Sequence, residues 1–137
     1  MEINKAIQLN PLSLAFVGDA TFTLFVREKL ALEHDNKAGK LHLMANKYVK
    51  ATAQAVIFDA LESLFSDVEK DISRRARNHH NNTKAKNASL ADYKKATSLE
   101  AVLGFLKITN NDARLNFFME SAIKIIDEHQ NKGDKHE

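Results

Sequence analysis

The sequence predicts a single all-helical domain, and three observations support this fold class. Only one proline and four glycines occur among 137 residues, so few positions interrupt a helix. Apolar residues recur at three- and four-residue spacing along most of the chain, and no stretch alternates as a half-buried strand would. A chain of this length is long enough to bury a sizeable core within one domain.

The first long helix is the most apolar element, and we expect the other helices to be organised around it. From Leu12 to Val26, ten of fifteen residues are apolar, so a helix here would be buried nearly all round. Asn10 is a good N-cap and Pro11 a good first helical residue, so the start of this helix is well marked. We expect it to end near Leu30.

Helix caps and periodicity place the remaining elements. Ser66 with Glu69 has the form of a capping box, Ser89 with Asp92 predicts a second cap, and Asn110 or Asn111 caps the last helix. The predicted elements are a short helix over 3–9, a loop over 33–40, and helices over 41–50, 52–65, 66–78, 90–107 and 112–129. The last helix directs six apolar residues inward: Leu115, Phe118, Met119, Ala122, Ile123 and Ile126. We expect residues 1–130 to form the domain and residues 131–137 a polar, frayed tail.

The segment from Arg74 to Asn87 differs from the rest of the chain. It contains five lysines or arginines, four asparagines and two histidines, with no acid and no large apolar residue. It therefore cannot be core, and we interpret it as the end of a helix followed by an exposed basic loop. A nucleic-acid contact and a merely solvated surface are about equally favoured. His79 and His80 are adjacent, which suits a loop better than a shared metal ion.

Composition excludes several classes of function. There is no cysteine, which excludes disulfides, thiol nucleophiles and thiolate metal sites and is compatible with the cytoplasm. The N-terminal residues lack a signal-peptide core, and no apolar run is long enough to cross a bilayer. Phosphate-binding, dinucleotide-binding and serine-hydrolase motifs are absent. The net charge of +2 is too small to indicate nucleic-acid binding by itself.

Two acidic residues in apolar surroundings are candidates for chemistry. Asp19 and Glu100 each lie near a glycine, Gly18 and Gly104, and glycine inside a helix needs a reason. Close helix–helix approach is one such reason, and it would bring the two carboxylates together. A divalent cation such as Mg²⁺ or Mn²⁺ would relieve their repulsion. Spacing alone favours the simpler alternative, that each acid is a structural hydrogen-bond acceptor or ion-pair partner.

Several motifs together resemble the catalytic domain of the ribonuclease III family, and most closely its short form, Mini-ribonuclease III. The central motifs are FVGDA at 16–20 and SLEAVLG at 98–104. The further matching positions are Leu41, His42, Lys47, Tyr48, Val49, Ala51, Ala53, Gln54, Ala55, Arg75, Ala76, Arg77, Asn78, Lys86 and Asn87. The resemblance covers nearly the whole chain.

The acidic set is thinner than in full-length members of that family. Leu12 and Ala15 occupy the positions of two glutamates upstream of the GDA aspartate, and Thr97 occupies the position of an aspartate. Only Asp19 and Glu100 of the usual acids remain, which is similar to the Mini-ribonuclease III pattern. The number of metal ions per site stays open.

The resemblance implies an all-helical homodimer that cuts double-stranded RNA to leave 5′-phosphates. Asp19 and Glu100 would hold Mg²⁺, with Mn²⁺ as a substitute, directly or through water. The implied substrate is precursor 23S ribosomal RNA in the cytoplasm, with a ribosomal protein as a possible additional partner. By position, the residues expected to bind RNA are Arg74, Arg75, Arg77, Asn78, Lys84, Lys86 and Asn87.

Two other classes of function stay open. One is a non-catalytic RNA-binding or ribosome-associated protein with this fold, which retention of Asp19 and Glu100 disfavours. The other is a helical metal-dependent phosphohydrolase acting on nucleotides, which the missing acidic cluster and the basic segment disfavour. Metal-dependent RNA cleavage distinguishes an endoribonuclease from a non-catalytic RNA-binding protein. Nucleotide turnover without RNA cleavage would favour the phosphohydrolase.

Overall fold

The computed structural model describes residues 1–79 and 89–135, and these are helical as predicted. The helices are α1 Ile3–Ile7, α2 Pro11–Glu33, α3 Ala38–Val49, α4 Ala51–Leu61, α5 Asp67–Asn78, α6 Leu90–Ile108 and α7 Asp112–Lys135, with a short 3₁₀ turn at Glu62–Leu64. No strand occurs among the described residues. No helix in this part of the chain is long and apolar enough to span a bilayer.

Local chemistry determines where the helices begin and end. The Asn10 side chain accepts a hydrogen bond from the Leu12 amide at 2.8 Å, with Pro11 as first helical residue. The capping box of Ser66 and Glu69 is formed with both hydrogen bonds, and Ser89 caps α6. After α6, Asn110 takes a left-handed conformation with φ of 58°, which turns the chain toward α7.

Helix α6 is the centre of the fold, and the expectation that α2 is buried nearly all round is wrong. Helices α2, α4, α5 and α7 all pack against α6, whose residues from Ala96 to Leu106 are buried except Glu100. On α2, by contrast, Phe16 is 81% exposed and Leu24 58% exposed. Helix α2 packs through one face only, and its apolar composition does not distinguish that face from the outer one.

The expected end of the last helix at His129 is wrong, because α7 continues to Lys135. Polar residues extend a helix already nucleated by its packed first turns. Elsewhere α2 is longer and α3 begins earlier than expected, which shortens the loop to residues 34–37. The helix predicted over 52–65 ends at Leu61, where the 3₁₀ turn follows.

One buried ion pair joins α5 to α7. Glu69 is 2% exposed and accepts hydrogen bonds from the Arg114 Nε and, at 2.8 Å, from its Nη2. The same Glu69 carboxylate accepts from the Ser66 amide at 2.8 Å. Arg114 also donates to the Leu64 carbonyl at 2.8 Å and lies over the Phe118 ring. The carboxylate is thus paired and hydrogen-bonded, as a buried charge requires.

Candidate active site at a helix crossing

Two glycines let α2 and α6 touch through their main chains. A Cβ atom added at Gly18 would lie 1.7 Å from the Glu100 carbonyl oxygen. One added at Gly104 would lie 1.8 Å from the Leu14 carbonyl oxygen. Both distances are far below van der Waals contact, so a larger residue does not fit at either position. The predicted close approach at these glycines is confirmed.

The crossing brings Asp19 and Glu100 together. Asp19 follows Gly18 on α2, and Glu100 lies one turn before Gly104 on α6. The Asp19 carboxylate lies near enough for its charge to raise the pKa of Glu100. Glu100 is half-buried, whereas Asp19 lies on the exposed side of α2. The site therefore has one carboxyl set into the protein and one at its surface.

The environment of Glu100 favours its protonated form. Its pKa is raised from the ordinary 4.5 to about 8, first by burial, then by the charge of Asp19 and the hydrogen bond with it. A hydrogen bond donated by Gln54 acts in the opposite direction. The raised pKa therefore favours the neutral carboxyl form of Glu100 at neutral pH.

Gln54 is a part of this site that the sequence interpretation missed. It is 3% exposed, and its Nε2 donates to the Val49 carbonyl at 2.9 Å and to Glu100 Oε2 at 3.3 Å. Its Oε1 is buried and has no hydrogen-bond partner among the described residues. A signal was present, since Gln54 precedes the buried Ile57, Phe58 and Leu61 at helical spacing and so lies on the core face of α4.

The positions that depart from the fuller acidic pattern lie on α2 and α6, before Asp19 and Glu100 in each helix. Leu12 and Thr97 line one small cavity of about 120 Å³. Thr97 donates to the Tyr93 carbonyl at 3.0 Å, and Ala15 is buried. Within the described part of the chain, no three His, Cys, Asp or Glu residues come together as a metal site. The donor set at the crossing is therefore two carboxylates.

Residues 12–111 match the ribonuclease III domain, a region that includes both carboxylates and both glycines. This chain belongs to the ribonuclease III family. Membership of this family makes the chain an endoribonuclease.

Three known proteins resemble the chain over most of their length. Mini-ribonuclease 3 of Staphylococcus aureus is 41% identical over 122 residues, which cover 88% of this chain and 91% of that protein. Mini-ribonuclease 3 of Clostridium tetani is 38% identical over 131 residues, covering 94% and 87%. A crystal structure of a Fusobacterium nucleatum protein superposes with a TM-score of 0.79 at 26% identity, covering 85% of this chain and 93% of that one.

The arginines expected to bind RNA lie on α5 and differ in their surroundings. Arg74 is exposed and pairs with Asp71 at 2.8 Å. Arg75 is half-buried, bonded to Asp71 at 3.1 Å, and donates to the Ile7 carbonyl at 2.8 Å, which ties α1 to α5. The Arg77 guanidinium lies 5.9 Å from the centre of the Phe58 ring. Arg75 thus has a structural contact that its sequence position did not indicate.

The end of α5 faces the first half of α6 across a small cavity. Ala76 and His79 line the same cavity as Thr97, which is one helical turn from Glu100. Asn78, in the last turn of α5, is exposed. The other three residues expected to bind RNA, Lys84, Lys86 and Asn87, lie outside the described residues, as does His80. The described part of the basic segment therefore ends against the turn of α6 that precedes Glu100.

Proposed function

We propose that this endoribonuclease cleaves double-stranded RNA, using a divalent cation held by Asp19 and Glu100. The observation that carries this proposal is the pair of carboxyl groups at the Gly18–Gly104 crossing. They come from two different helices, and main-chain contact sets their separation. Because the pKa of Glu100 is raised, binding of a cation there would be accompanied by release of a proton near neutral pH.

The two carboxyl groups fit a divalent cation by their chemistry. Oxygen donors suit Mg²⁺ and Mn²⁺, and Mg²⁺ is commonly bound by one or two carboxylates with water completing its shell. The raised pKa of Glu100 reflects burial and the nearby charge of Asp19, both of which a cation would offset. When bound, the cation would stabilise negative charge on the phosphate and acidify water for in-line attack. Products of such attack carry a 5′-phosphate and a 3′-hydroxyl.

The chain's own side chains would hold the RNA beside the carboxylates. Arg74 and Asn78 are exposed on α5, and Arg77 is half-buried on the same helix. These residues, together with Lys84, Lys86 and Asn87, would contact phosphates and 2′-hydroxyls across the minor groove, which reads shape more than sequence. Charge contacts of this kind make binding strongly dependent on salt. Arg75 remains among the residues proposed to bind RNA, although its guanidinium also donates a hydrogen bond to the Ile7 carbonyl of α1.

We propose further that the active form is a homodimer joined through the outer face of α2. Phe16, Ala20, Arg27 and Ala31 recur at four- and seven-residue spacing and share one face of that helix. Phe16 is 81% exposed, and Arg27 and Ala31 line a cavity of about 180 Å³ between α2 and α3. Two copies of α2 packed antiparallel about a twofold axis bring each Phe16 toward the cavity of the other copy. This arrangement covers the apolar face that the single chain leaves open.

We also propose precursor 23S ribosomal RNA as the substrate, with a ribosomal protein bound to it as a possible additional partner. The resemblance to Mini-ribonuclease III supports this substrate, which would place the enzyme in the cytoplasm.

Cleavage of a generic double-stranded RNA in Mg²⁺ tests the activity. We expect the native protein to cut it to 5′-phosphate products, and Glu100→Gln to bind it without cutting. Glu28→Gln makes the same change at an exposed position of α2 and should cut like the native protein. If the native protein binds both generic and precursor ribosomal RNA yet cuts neither, the non-catalytic RNA-binding alternative replaces this proposal.

A further inference from the structure

Gln54 is the buried polar side chain at the site that the proposed cleavage leaves unexplained. Its Nε2 lies between two acceptors, the Val49 carbonyl at 2.9 Å and Glu100 Oε2 at 3.3 Å. A flipped amide would place Oε1 against both acceptors, so the direction of the amide is determined by its neighbours. The side chain comes from α4, which packs on α6, whereas Asp19 comes from α2.

The other end of the amide is costly to bury. Gln54 Oε1 has no partner among the described residues, and an unpaired acceptor in the interior destabilises the folded state. Methionine has nearly the same length and shape and would avoid that cost. The Val49 carbonyl is at the end of α3, where helix carbonyls lack intrahelical partners. Capping α3 is therefore the competing explanation for Gln54.

We propose that Gln54 is a positioning residue for the metal site. Its amide holds one oxygen of Glu100 in place, so that the carboxyl group keeps the orientation in which it faces Asp19 and would be available to a cation. Hydrogen bonds to metal-ligating carboxylates commonly orient them in this way. The inference rests on the proposed function, because it assigns Gln54 a part in the cation site proposed there.

Manganese binding to the full-length protein, without RNA, tests the inference. The free Mn²⁺ signal in electron paramagnetic resonance gives the affinity, and thermal denaturation of the metal-free protein gives the stability. We expect Gln54→Met to weaken Mn²⁺ binding by roughly tenfold. This is the lower end of the usual loss of affinity when a hydrogen bond to a metal-binding side chain is removed. Its melting temperature without metal should equal or exceed that of the native protein. The Mg²⁺ concentration for half-maximal cleavage should rise by a similar factor.

Ser98→Ala is the matched control. Ser98 is fully buried on α6, two residues from Glu100, and donates to the Ser73 carbonyl at 2.9 Å on α5. This variant should melt at a lower temperature and bind Mn²⁺ like the native protein. The two variants therefore differ in opposite directions: one loses metal affinity without losing stability, and the other loses stability without losing metal affinity.

Several results would overturn the inference. A Gln54→Met protein that binds Mn²⁺ as tightly as the native protein would overturn it. If that variant also melts at a lower temperature, the role of Gln54 is to cap α3. Gln54→Leu is the second variant. If neither replacement gives a folded protein, the role of the Gln54 amide is structural and the inference is wrong. Glu100→Gln separates this inference from the proposed function. If that variant binds Mn²⁺ as tightly as the native protein, the proposed metal site itself is wrong.

Discussion

Replacing Gly18 with alanine should disrupt the centre of the fold. The new methyl carbon would lie 1.7 Å from the Glu100 carbonyl oxygen, 2.6 Å from the Glu100 carbonyl carbon and 2.8 Å from the Gly104 nitrogen. All three are main-chain atoms, so rotating a side chain cannot relieve the contact. Restoring an ordinary contact requires the two helices to separate by roughly 1.5 Å along that direction, given usual carbon–oxygen distances in packed interiors.

The size of the effect follows from this separation. Overpacking a core costs about 1–3 kcal/mol, and rigid main-chain atoms put Gly18→Ala at about 3 kcal/mol or more. For a chain of 137 residues this corresponds to a fall of roughly 10 °C in melting temperature. Gly39 is the internal control, because it is exposed near the start of α3 and a Cβ there meets nothing within 4 Å. Gly39→Ala should stabilise the protein by about 0.5 kcal/mol.

Thermal and urea denaturation of the two variants, at one fixed protein concentration and without metal, measure both effects. The change at Gly18 should also lower cleavage at temperatures where the variant is folded, since it moves Asp19 away from Glu100. A Gly18→Ala protein as stable as Gly39→Ala would refute the close main-chain contact and the account of the site built on it.

Three further predictions concern charge and assembly. In EDTA, the unfolding free energy should fall as pH rises from about 4.5 to about 8, because folded Glu100 retains a proton there that the unfolded chain releases. Glu100→Gln should remove that part of the pH dependence in urea titrations. Arg114→Ala leaves the buried Glu69 carboxylate without its partner and should cost about 3 kcal/mol; a loss under 1 kcal/mol in urea denaturation would contradict this account. Phe16→Glu should give a monomer in light scattering, whereas a native protein that is itself monomeric at micromolar concentration would disprove the proposed dimer.

Much of the fold was predictable because its causes are local in the sequence. The six inward residues predicted for α7 are all buried, since helical spacing alone determines which side chains share a face. The capping box at Ser66 likewise depends on two residues one turn apart. The meeting of Asp19 with Glu100 was also predictable, because a glycine beside or one turn from each acid indicated close helix approach.

What could not be predicted depends on the arrangement of helices in space. An apolar surface on α2 has the same composition whether the chain covers it or leaves it exposed, so Phe16 and Leu24 were wrongly placed inside. Gln54 matched a family motif, yet its contact with Glu100 depends on how α4 packs against α6. The hydrogen bond from Arg75 to the Ile7 carbonyl likewise joins residues far apart in sequence.

The contact at Gly18 and Gly104 makes the separation of the two carboxyl groups a property of the polypeptide backbone. Substitutions elsewhere in the interior can change the volume and shape of neighbouring side chains while the two main chains still touch at the same point. If the exposed residues of α5 contact RNA as proposed, an effort to change RNA preference can randomise those exposed positions, while the buried positions of α5 that pack against α6 stay unchanged. In such a library, positions 18 and 104 should stay glycine, because at either of them any side chain forces the two helices apart.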